Sequence, residues 1–304
     1  MTPLSGRRRA PEAPPAPFVV GVGRSGTTLL RLMLDAHPEL AIPPETHFVP
    51  ELVARARVRA EIGDLVAEIV AARNWGDFGL DAGELHDRAA ALGHTDPASL
   101  LRCFYSLYAE RQGKPRWGDK TPSYVKRMRL IADLLGEARF IHLIRDGRDV
   151  AVSRRRRGMG DQKPVTDAAE RWQRRIMRAR QQARRLGGRY LELRYEDLVI
   201  DPEPALRRVC ELVELDFDPA MLEYHRGSEE RLREFARDLP PEGGRRARSA
   251  QERMAAHALA TAPPNPDRIE AWRQEMDEAD RIEFERVAGG LLAELGYPLS
   301  AGST

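Results

Sequence analysis

The sequence predicts an α/β protein in which a parallel sheet is flanked by helices. Three short runs, at 18–22, 139–144 and 190–193, have the length and the apolar or β-branched residues of buried strands. Each run ends in a polar motif, and a helical pattern follows. Strands that alternate with helices favour a parallel sheet, and ligands bind such a sheet at the carboxyl ends of its strands. We therefore expect the functional site at the polar motifs.

Helical periodicity and capping signals predict the other elements. The first helix starts around Leu29, directly after a glycine-rich turn. The stretch 51–112 contains only helical patterns and is too long for one crossover, so we expect a helical insertion packed beside the sheet. Inside it, Asp96 and Pro97 supply an N-cap and a first-turn proline. The helical patterns after the first helix cover 51–73, 81–92, 96–112, 123–135, 149–157, 166–186, 202–215, 221–238, 267–276 and 280–295.

Two segments are predicted to lack regular structure. Residues 1–16 are rich in Pro, Ala and Arg and are expected to form a disordered arm, which leaves 17–304 as a single domain. Residues 239–266 are rich in Pro, Gly, Arg and Ala and are expected to form a mobile loop. We treat this loop as a candidate lid over the site.

Length and composition exclude several classes of protein. The chain has 304 residues, of which 42% are hydrophobic and 32% charged, as in soluble globular proteins. No stretch approaches the roughly 20 apolar residues of a membrane span, and a net charge of +2 provides no field that favours nucleic acid. We expect neither partner. Two isolated cysteines and seven scattered histidines have no metal spacing, so no metal is expected. The N-terminus lacks the apolar region of a secretory signal, which predicts a cytoplasmic location.

The segment FVVGVGRSGTT, residues 18–28, is the centre of the functional prediction. It contains a strand, three glycines and the start of a helix. Such a turn directs backbone N–H groups and a helix N-terminus at one place, which makes an anion site. Arg24, Ser25, Thr27 and Thr28 add side-chain donors there, which an ordinary tight turn does not need.

Two known nucleotide motifs fit this loop only in part. Gly21, Gly23 and Gly26 match the dinucleotide pattern G-x-G-x-x-G. However, the region about 20 residues further on contains prolines and no strand that ends in an acid. The P-loop pattern G-x-x-x-x-G-K-[ST] also fits, except that Thr27 replaces the lysine that reaches the β- and γ-phosphates. Both an NAD enzyme and a nucleoside-triphosphate enzyme are therefore disfavoured.

A phosphate loop with arginine, serine and threonines but without this lysine resembles the 5′-phosphosulfate loop of sulfotransferases, which use 3′-phosphoadenosine-5′-phosphosulfate (PAPS). The segments GRSGTTLLRLMLDAHPEL and PETHFVPEL extend the resemblance, which is greatest to tyrosylprotein sulfotransferases and related bacterial enzymes. It is strong over 18–52, 116–125, 139–157 and 190–215, and weak over 55–112 and 228–266. The resemblance implies a P-loop-like fold, PAPS as the sulfuryl donor and 3′-phosphoadenosine-5′-phosphate (PAP) as the product.

The resemblance also implies which residues bind the donor. Arg145 and Ser153, in RDGRDVAVS, match the pair that binds the 3′-phosphate, and both can meet at the start of one helix. Arg157 matches a further arginine, and Tyr195 in RYEDL matches a residue that contacts the adenine. Residues 24–28 would hold the 5′-phosphate and the sulfate. The implied donor-binding set is Arg24, Ser25, Gly26, Thr27, Thr28, Arg145, Ser153, Arg157 and Tyr195.

One motif near the C-terminus departs from the family pattern. The segment DRIEAWRQEM is similar to the closing segment of tyrosylprotein sulfotransferases, which carry a lysine just before the tryptophan. Here Ala271 precedes Trp272. The contact of that lysine is therefore lost or passed to Arg268 or Arg273, and the sequence does not favour one over the other.

Three residues receive catalytic roles from the resemblance. Glu45 in PETHF matches the glutamate that takes the proton of the acceptor. Lys120 in GDKTP matches a lysine that stabilises the transition state, a task that Arg24 would share. His47 is a rival base, because cytosolic sulfotransferases use a histidine. Its counterpart in tyrosylprotein enzymes is an arginine, so peptide-tyrosine specificity is open. Glu45 could also simply cap the helix that follows it.

The predicted function is transfer of the sulfuryl group from PAPS to a hydroxyl of a small-molecule acceptor, with a secondary metabolite as one class, by in-line displacement. A peptide tyrosine is the alternative acceptor. A P-loop small-molecule kinase is disfavoured by the missing lysine. A non-catalytic nucleotide-binding protein is disfavoured because Glu45, Lys120, Arg145 and Ser153 are all present. The sequence does not indicate an oligomeric state.

Overall fold

The computed structural model describes residues 13–56, 61–94, 96–158, 163–244 and 246–300. Its central sheet has the strand order β4-β1-β5-β6, and all three pairings are parallel. A second sheet pairs β2 with β3, also in parallel. The strands are β1 (Ala16–Gly21), β2 (Leu40–Ala41), β3 (Arg116–Trp117), β4 (Asp119–Lys120), β5 (Ala138–Ile144) and β6 (Tyr190–Arg194).

Helices connect the strands and surround the central sheet. Within the described ranges, no helix combines the length and the apolar character needed to cross a membrane. The α-helices are α1 (Thr27–Asp35), α2 (Val49–Ala56), α3 (Ile62–Val70), α4 (Ala82–Ala90), α5 (Pro97–Arg111), α6 (Met128–Leu134), α7 (Gly147–Arg155), α8 (Val165–Ala183), α9 (Tyr195–Ile200), α10 (Pro202–Val213), α11 (His225–Leu232), α12 (Ala250–His257), α13 (Trp272–Glu275) and α14 (Glu278–Glu294).

The side chains of β1 explain why helices cover both faces of the sheet. Phe18 and Val20 pack into a core cluster with residues of α2 to α5, whereas Val19 packs into a second cluster with residues of α1 and α10. Successive side chains of a strand face opposite sides, so a strand that is buried on both faces is apolar throughout. The predicted fold class, a parallel sheet flanked by helices with a helical insertion, is confirmed.

The helical insertion, α2 to α5, is part of the protein core. Phe104 of α5 packs edge-on against Phe48 and Phe78, with ring centroids 5.1 Å apart in both pairs. The neighbouring Tyr105 stacks on Trp117 of β3 at 4.6 Å. Aromatic pairs of these geometries add about 0.5–1.5 kcal/mol each beyond the area they bury. The insertion is therefore packed against the sheet, and these aromatic residues belong to the core.

Several elements are shorter or more divided than the sequence predicts. The edge strand β4 was not predicted, because it has two polar residues and no apolar run. The pattern at 51–73 forms α2 and α3, and residues 57–60 lie outside the described residues. The pattern at 123–135 begins as a 3₁₀ helix, Pro122–Lys126, and continues as α6.

The prediction of an irregular loop over 239–266 was wrong in one respect, because the segment contains α12. Ser249 caps this helix by accepting from the N–H of Glu252, and the Glu252 side chain accepts from the N–H of Ser249. Arg253 then forms a buried ion pair with Asp77, with Nη1 and Oδ1 3.0 Å apart. These contacts fix α12 against the insertion, while the surrounding Pro and Gly residues dominate the sequence pattern.

The last residue of the predicted N-terminal arm, 1–16, already belongs to the sheet. Residues 1–12 lie outside the described residues, so most of the arm prediction is not addressed. Ala16 already begins β1 and pairs with Ala138 of β5. The sheet therefore starts one residue before the domain boundary that the sequence suggests.

Candidate active site

The loop between β1 and α1 forms a turn whose last position requires glycine. Gly26 caps α1 with a φ of 89°, and a Cβ atom there would lie 2.4 Å from Cδ2 of Tyr195. Arg24 also has a positive φ, 81°, which is uncommon for a residue with a side chain and concentrates at functional sites. The turn presents the unpaired N–H groups at the start of α1 at the carboxyl end of β1.

Positive charge and unpaired donors accumulate beside this loop. The Nε of Arg24 donates to Oγ of Ser153 at 3.2 Å. Burial and the charges of Arg157 and Arg145 lower the pKa of Arg24 to about 10, which reflects surroundings rich in cations. Oγ of Ser25 and Nε of Arg145 are buried and have no hydrogen-bond partner within the described structure. Since unpaired buried polar atoms are costly, an anion with several oxygens would suit this place.

Arg145 follows the last residue of β5 and is held by several contacts. Its guanidinium group lies over the ring of Tyr195 at 4.4 Å, and its Nη2 donates to the carbonyl oxygen of Arg268 at 2.5 Å. The carboxylate of Asp149 lies 3.6 Å from the same Nη2 and accepts from the backbone N–H of Trp272 at 2.9 Å. Arg145 is thus fixed in position while its Nε is left for a ligand.

One cavity of about 210 Å³ brings most of the predicted donor-binding residues together. Ser25 is buried in the loop itself, and Arg157 donates to the carbonyl oxygen of Ala256 at 3.0 Å. Segment 256–264 adds a largely apolar wall of alanines, a leucine and prolines. A polar site next to an apolar wall suits a ligand with both phosphates and a ring. The predicted residues that line the cavity, here called the anion cradle, are Arg24, Gly26, Thr27, Thr28, Arg145, Ser153 and Tyr195.

The two predicted catalytic groups outside the cradle form an ion pair. Nζ of Lys120 donates to Oε1 of Glu45 at 2.7 Å, and the Lys120 side chain is fully buried, whereas that of Glu45 is 30% exposed. Nε2 of His47 lies 3.1 Å from the other oxygen of Glu45. Burial opposes the ionised form of Glu45, but the charge of Lys120 and the hydrogen bond from His47 outweigh burial and lower its pKa well below the usual range. Glu45 is therefore a carboxylate at neutral pH.

Two cavity residues were not assigned from the sequence. His257, the last residue of α12, stacks on Phe235 with ring centroids 4.6 Å apart. Burial and the charge of Lys120 lower the pKa of His257 to about 3, and Glu45 acts on it in the opposite direction. His257 is thus a neutral ring in the cavity wall, within electrostatic range of Glu45 and Lys120. Arg156 also lines the cavity and donates to Glu275 at 2.5 Å. A lone histidine in an Ala-rich segment has no sequence signal, and Arg156 belongs to a run of four arginines.

The two arginines that the sequence left open near Trp272 differ in their surroundings. Arg268 lines the cavity together with Ala271. Arg273 forms an ion pair with Glu270, in which Nε and Oε2 are 2.7 Å apart. Arg268 is therefore the better placed of the two to meet a ligand of the cradle.

Sequence relatives identify the family of the chain. The model of the sulfotransferase family matches residues 15–219. Protein-tyrosine sulfotransferase 1 of Danio rerio is 26% identical over 294 residues, which cover 93% of this chain and 72% of that protein. The predicted resemblance to sulfotransferases is confirmed.

Solved structures agree with the fold. The sulfotransferase domain from the olefin synthase of Synechococcus PCC 7002 has a TM-score of 0.62 and 25% identity, and the match covers 97% of this chain and 99% of that domain. The sulfotransferase domain from the curacin biosynthetic pathway has a TM-score of 0.60 at 21% identity, over 95% of this chain and all of that domain. This chain belongs to the sulfotransferase family of enzymes.

Proposed function

We propose that this enzyme transfers the sulfuryl group of PAPS to a hydroxyl group of a small-molecule acceptor. The observation that carries the proposal is the anion cradle, in which Arg145, like the adjoining loop residue Ser25, has a buried donor atom without a partner among the described residues. His257 in the cavity wall lies within electrostatic range of Lys120 and Glu45. Orphaned buried donors among cations fit a ligand with two separate anionic groups. PAPS is such a ligand.

Two parts of the cradle would hold the two ends of the donor. Residues 24–28, at the N-terminus of α1, would bind the 5′-phosphosulfate. Arg145 and Ser153 would bind the 3′-phosphate, with Arg157 and Arg268 adding positive charge. Tyr195 would pack against the adenine, since its ring already faces Gly26 and lies under Arg145.

Chemistry would take place at the Glu45–Lys120 pair. PAPS supplies the sulfuryl group when it is bound. Glu45, ionised and partly exposed, accepts the proton of the acceptor hydroxyl. Lys120 and Arg24 stabilise the negative charge that develops during transfer, and the burial of Lys120 strengthens this interaction by excluding water. The protein therefore contributes orientation and electrostatic stabilisation.

The proposal that the acceptor is a small molecule rests on two solved sulfotransferase domains and on the identity of residue 47. The sulfotransferase domain of the Synechococcus olefin synthase matches nearly the whole chain, and a solved domain from the curacin biosynthetic pathway shares its fold. A peptide tyrosine is the second candidate, favoured by the match to protein-tyrosine sulfotransferase 1. His47 stands where the tyrosylprotein enzymes carry an arginine, so we favour the small molecule.

Donor binding is tested first by thermal shift with PAP, compared with AMP, ATP with magnesium, and NAD. A ligand at 100 times its Kd stabilises a protein by about 2.7 kcal/mol. We expect PAP to raise the Tm most, because only PAP combines a 5′-phosphate with a 3′-phosphate. A response to ATP or NAD without a response to PAP would overturn the proposal in favour of a kinase or a dinucleotide enzyme.

The base is tested by comparing Glu45→Gln with His47→Gln in a sulfuryl-transfer assay, with Glu51→Gln as the matched control. If Glu45 is the base, its variant loses about 100-fold or more in kcat, whereas the His47 variant loses much less. The reverse order would make His47 the base. Equal kcat for Glu45→Gln and the parent enzyme would refute the mechanism.

A further inference from the structure

Thr46, the residue between Glu45 and His47, is bonded to both neighbours of Lys120. Its backbone N–H donates to Oγ1 of Thr121 at 3.0 Å, and its Oγ1 donates to Oδ2 of Asp119 at 2.8 Å. Thr46, Asp119 and Thr121 are all fully buried. The loop that carries Glu45 is therefore hydrogen-bonded to the residue before Lys120 and to the residue after it.

Because side chains alternate along an extended chain, the hydrogen bonds of Thr46 also determine how Glu45 meets Lys120. Asp119 and Thr121 face one side of their segment, and Lys120 between them faces the other. Thr46 bonds to the first side, while Glu45 reaches the second side at 2.7 Å. Two bonds to Thr46 thus fix the register in which Glu45 meets Lys120.

Two tyrosines complete a buried polar network around Thr46. The hydroxyl of Tyr105, on α5, donates to Oδ2 of Asp119 at 3.0 Å. The hydroxyl of Tyr124 lies 2.8 Å from Oγ1 of Thr46 and accepts from the backbone N–H of Val49 at 3.1 Å. The network links the insertion, the start of α2 and β4. Both hydroxyls that reach Asp119 bond to Oδ2, while its buried Oδ1 has no hydrogen-bond partner among the described residues. The contacts to Oδ2 therefore hold Asp119 in one orientation.

The backbone beside Thr46 supplies a separate observation. His47 has a φ of 51°, in the left-handed region that favours glycine. A residue with a side chain keeps such a conformation only where its surroundings hold it there, and such residues cluster at functional sites. The N–H of Phe48 donates to the carbonyl oxygen of Thr46 across His47, and Nδ2 of Asn74 donates to the carbonyl oxygen of Glu45 at 2.8 Å. The bonds of Thr46 to Asp119 and Thr121 anchor the same turn to the strand that carries Lys120.

We propose that Thr46 and Asp119 are positioning residues that set Glu45 against Lys120 for sulfuryl transfer. This inference rests on the proposed function, because it takes Glu45 and Lys120 to be the reacting groups of the enzyme. Neither Thr46 nor Asp119 belongs to the anion cradle, so their loss should disturb the reacting pair and leave donor binding intact. Misplacement of a reacting group by about 1 Å can cost about 100-fold in rate.

The test compares Thr46→Val, which has the same shape without the hydroxyl, with Thr46→Ser, which keeps it. We expect Thr46→Val to lower kcat about 10- to 100-fold while the affinity for PAP stays within about two-fold, and Thr46→Ser to restore kcat. Amide hydrogen exchange at 44–49, measured without any ligand, should be faster in Thr46→Val than in the parent and normal in Thr46→Ser. Thr166→Val, on α8, is the matched control.

The outcomes separate this inference from the proposed function. A parent enzyme that binds no PAP and transfers no sulfuryl group would refute the proposed function itself. An active parent enzyme with unchanged kcat in Thr46→Val would overturn only the inference. Loss of PAP affinity together with kcat, or no rescue by Thr46→Ser, would indicate a general structural role and also overturn it. If Thr46→Val does not fold, Asp119→Asn is judged by the same kcat, affinity and exchange criteria.

Discussion

In the anion cradle and its adjoining loop, Arg145 and Ser25 have buried atoms without partners among the described residues, and Arg24 is surrounded by cations. Around Lys120, by contrast, the opposite charges are already paired. Burial alone does not explain the difference, since both regions are largely buried. The cradle is left with excess positive charge, so an anionic ligand should complete it. The Glu45–Lys120 pair is neutral as a unit and stands ready before any ligand binds. Binding and chemistry are therefore separable, and variants should affect one without the other.

Lys120→Met should separate the two regions most clearly. Removing the buried ammonium group takes away the charge that stabilises the transition state, so we expect kcat to fall about 1,000-fold. The affinity for PAP, measured by calorimetry, should change little, because Lys120 does not line the cradle. Lys126→Met, at an exposed lysine that follows in the chain, is the control. An equal loss of PAP affinity would show that Lys120 also binds the donor, so that binding and chemistry are not separable.

Asp119→Asn should show how much folding stability is lost when the buried carboxyl group next to Lys120 ionises. Burial raises the pKa of Asp119 to about 6 from 3.8, so the folded state binds a proton more tightly than the unfolded state does. Stability from this group is present at low pH and is lost as pH rises from about 4 to about 6. Relative to Asp119→Asn, the parent should therefore lose about 3 kcal/mol over that range, measured by urea unfolding. A difference that does not change with pH would contradict a raised pKa.

Arg145→Gln should affect the cradle alone. We expect about 100-fold weaker binding of PAP and little change for AMP, because a charge-assisted contact to the 3′-phosphate is lost and AMP has no such group. Arg139→Gln, at the other end of β5, is the control. Equal weakening of PAP and AMP would place Arg145 elsewhere on the ligand or give it only a structural role.

Gly26→Ala should disturb the cradle through a steric clash with Tyr195. The new Cβ would lie 2.4 Å from the ring of Tyr195, at a φ of 89°. We expect a loss of about 2 kcal/mol in the free energy of unfolding. Gly23→Ala is a matched control, since a Cβ there meets nothing within 4 Å. Similar effects of the two variants would contradict the close contact between loop and tyrosine.

The smallest expected effect concerns the candidate lid. Segment 256–264 lines the cavity, so PAP together with an acceptor should slow amide exchange in α12 by a few-fold, with α14 as the reference. Asp77→Asn, which weakens the contact to Arg253, should enlarge that change. Unchanged exchange in α12 would count against a lid.

The strands β1 and β5 could be predicted because buried parallel strands are apolar. The edge strand β6 is mostly half-buried but still contains Tyr190, Leu191 and Leu193. The loop at 18–28 could be predicted because glycines and donors are adjacent in sequence. The pairing of Glu45 with Lys120 could not be derived from periodicity, since the two lie on distant segments, and only family resemblance suggested their roles. Strand β4 has no apolar signal. The capping residues Ser249 and Glu252 are visible in the sequence, yet the flanking Pro and Gly residues favoured a loop. His257 reaches the cavity through packing on Phe235, which no local pattern encodes.

The contact between Gly26 and Tyr195 has a consequence for biosynthesis. The glycine precedes the tyrosine by a long stretch of chain, and segment 256–268 follows later still. A chain emerging from the ribosome would expose Arg24, Arg145 and Ser153 before the parts that close around them have been made. We expect that the nucleotide cannot aid folding until segment 256–268 has been made, so the sheet must form before its ligand can stabilise it.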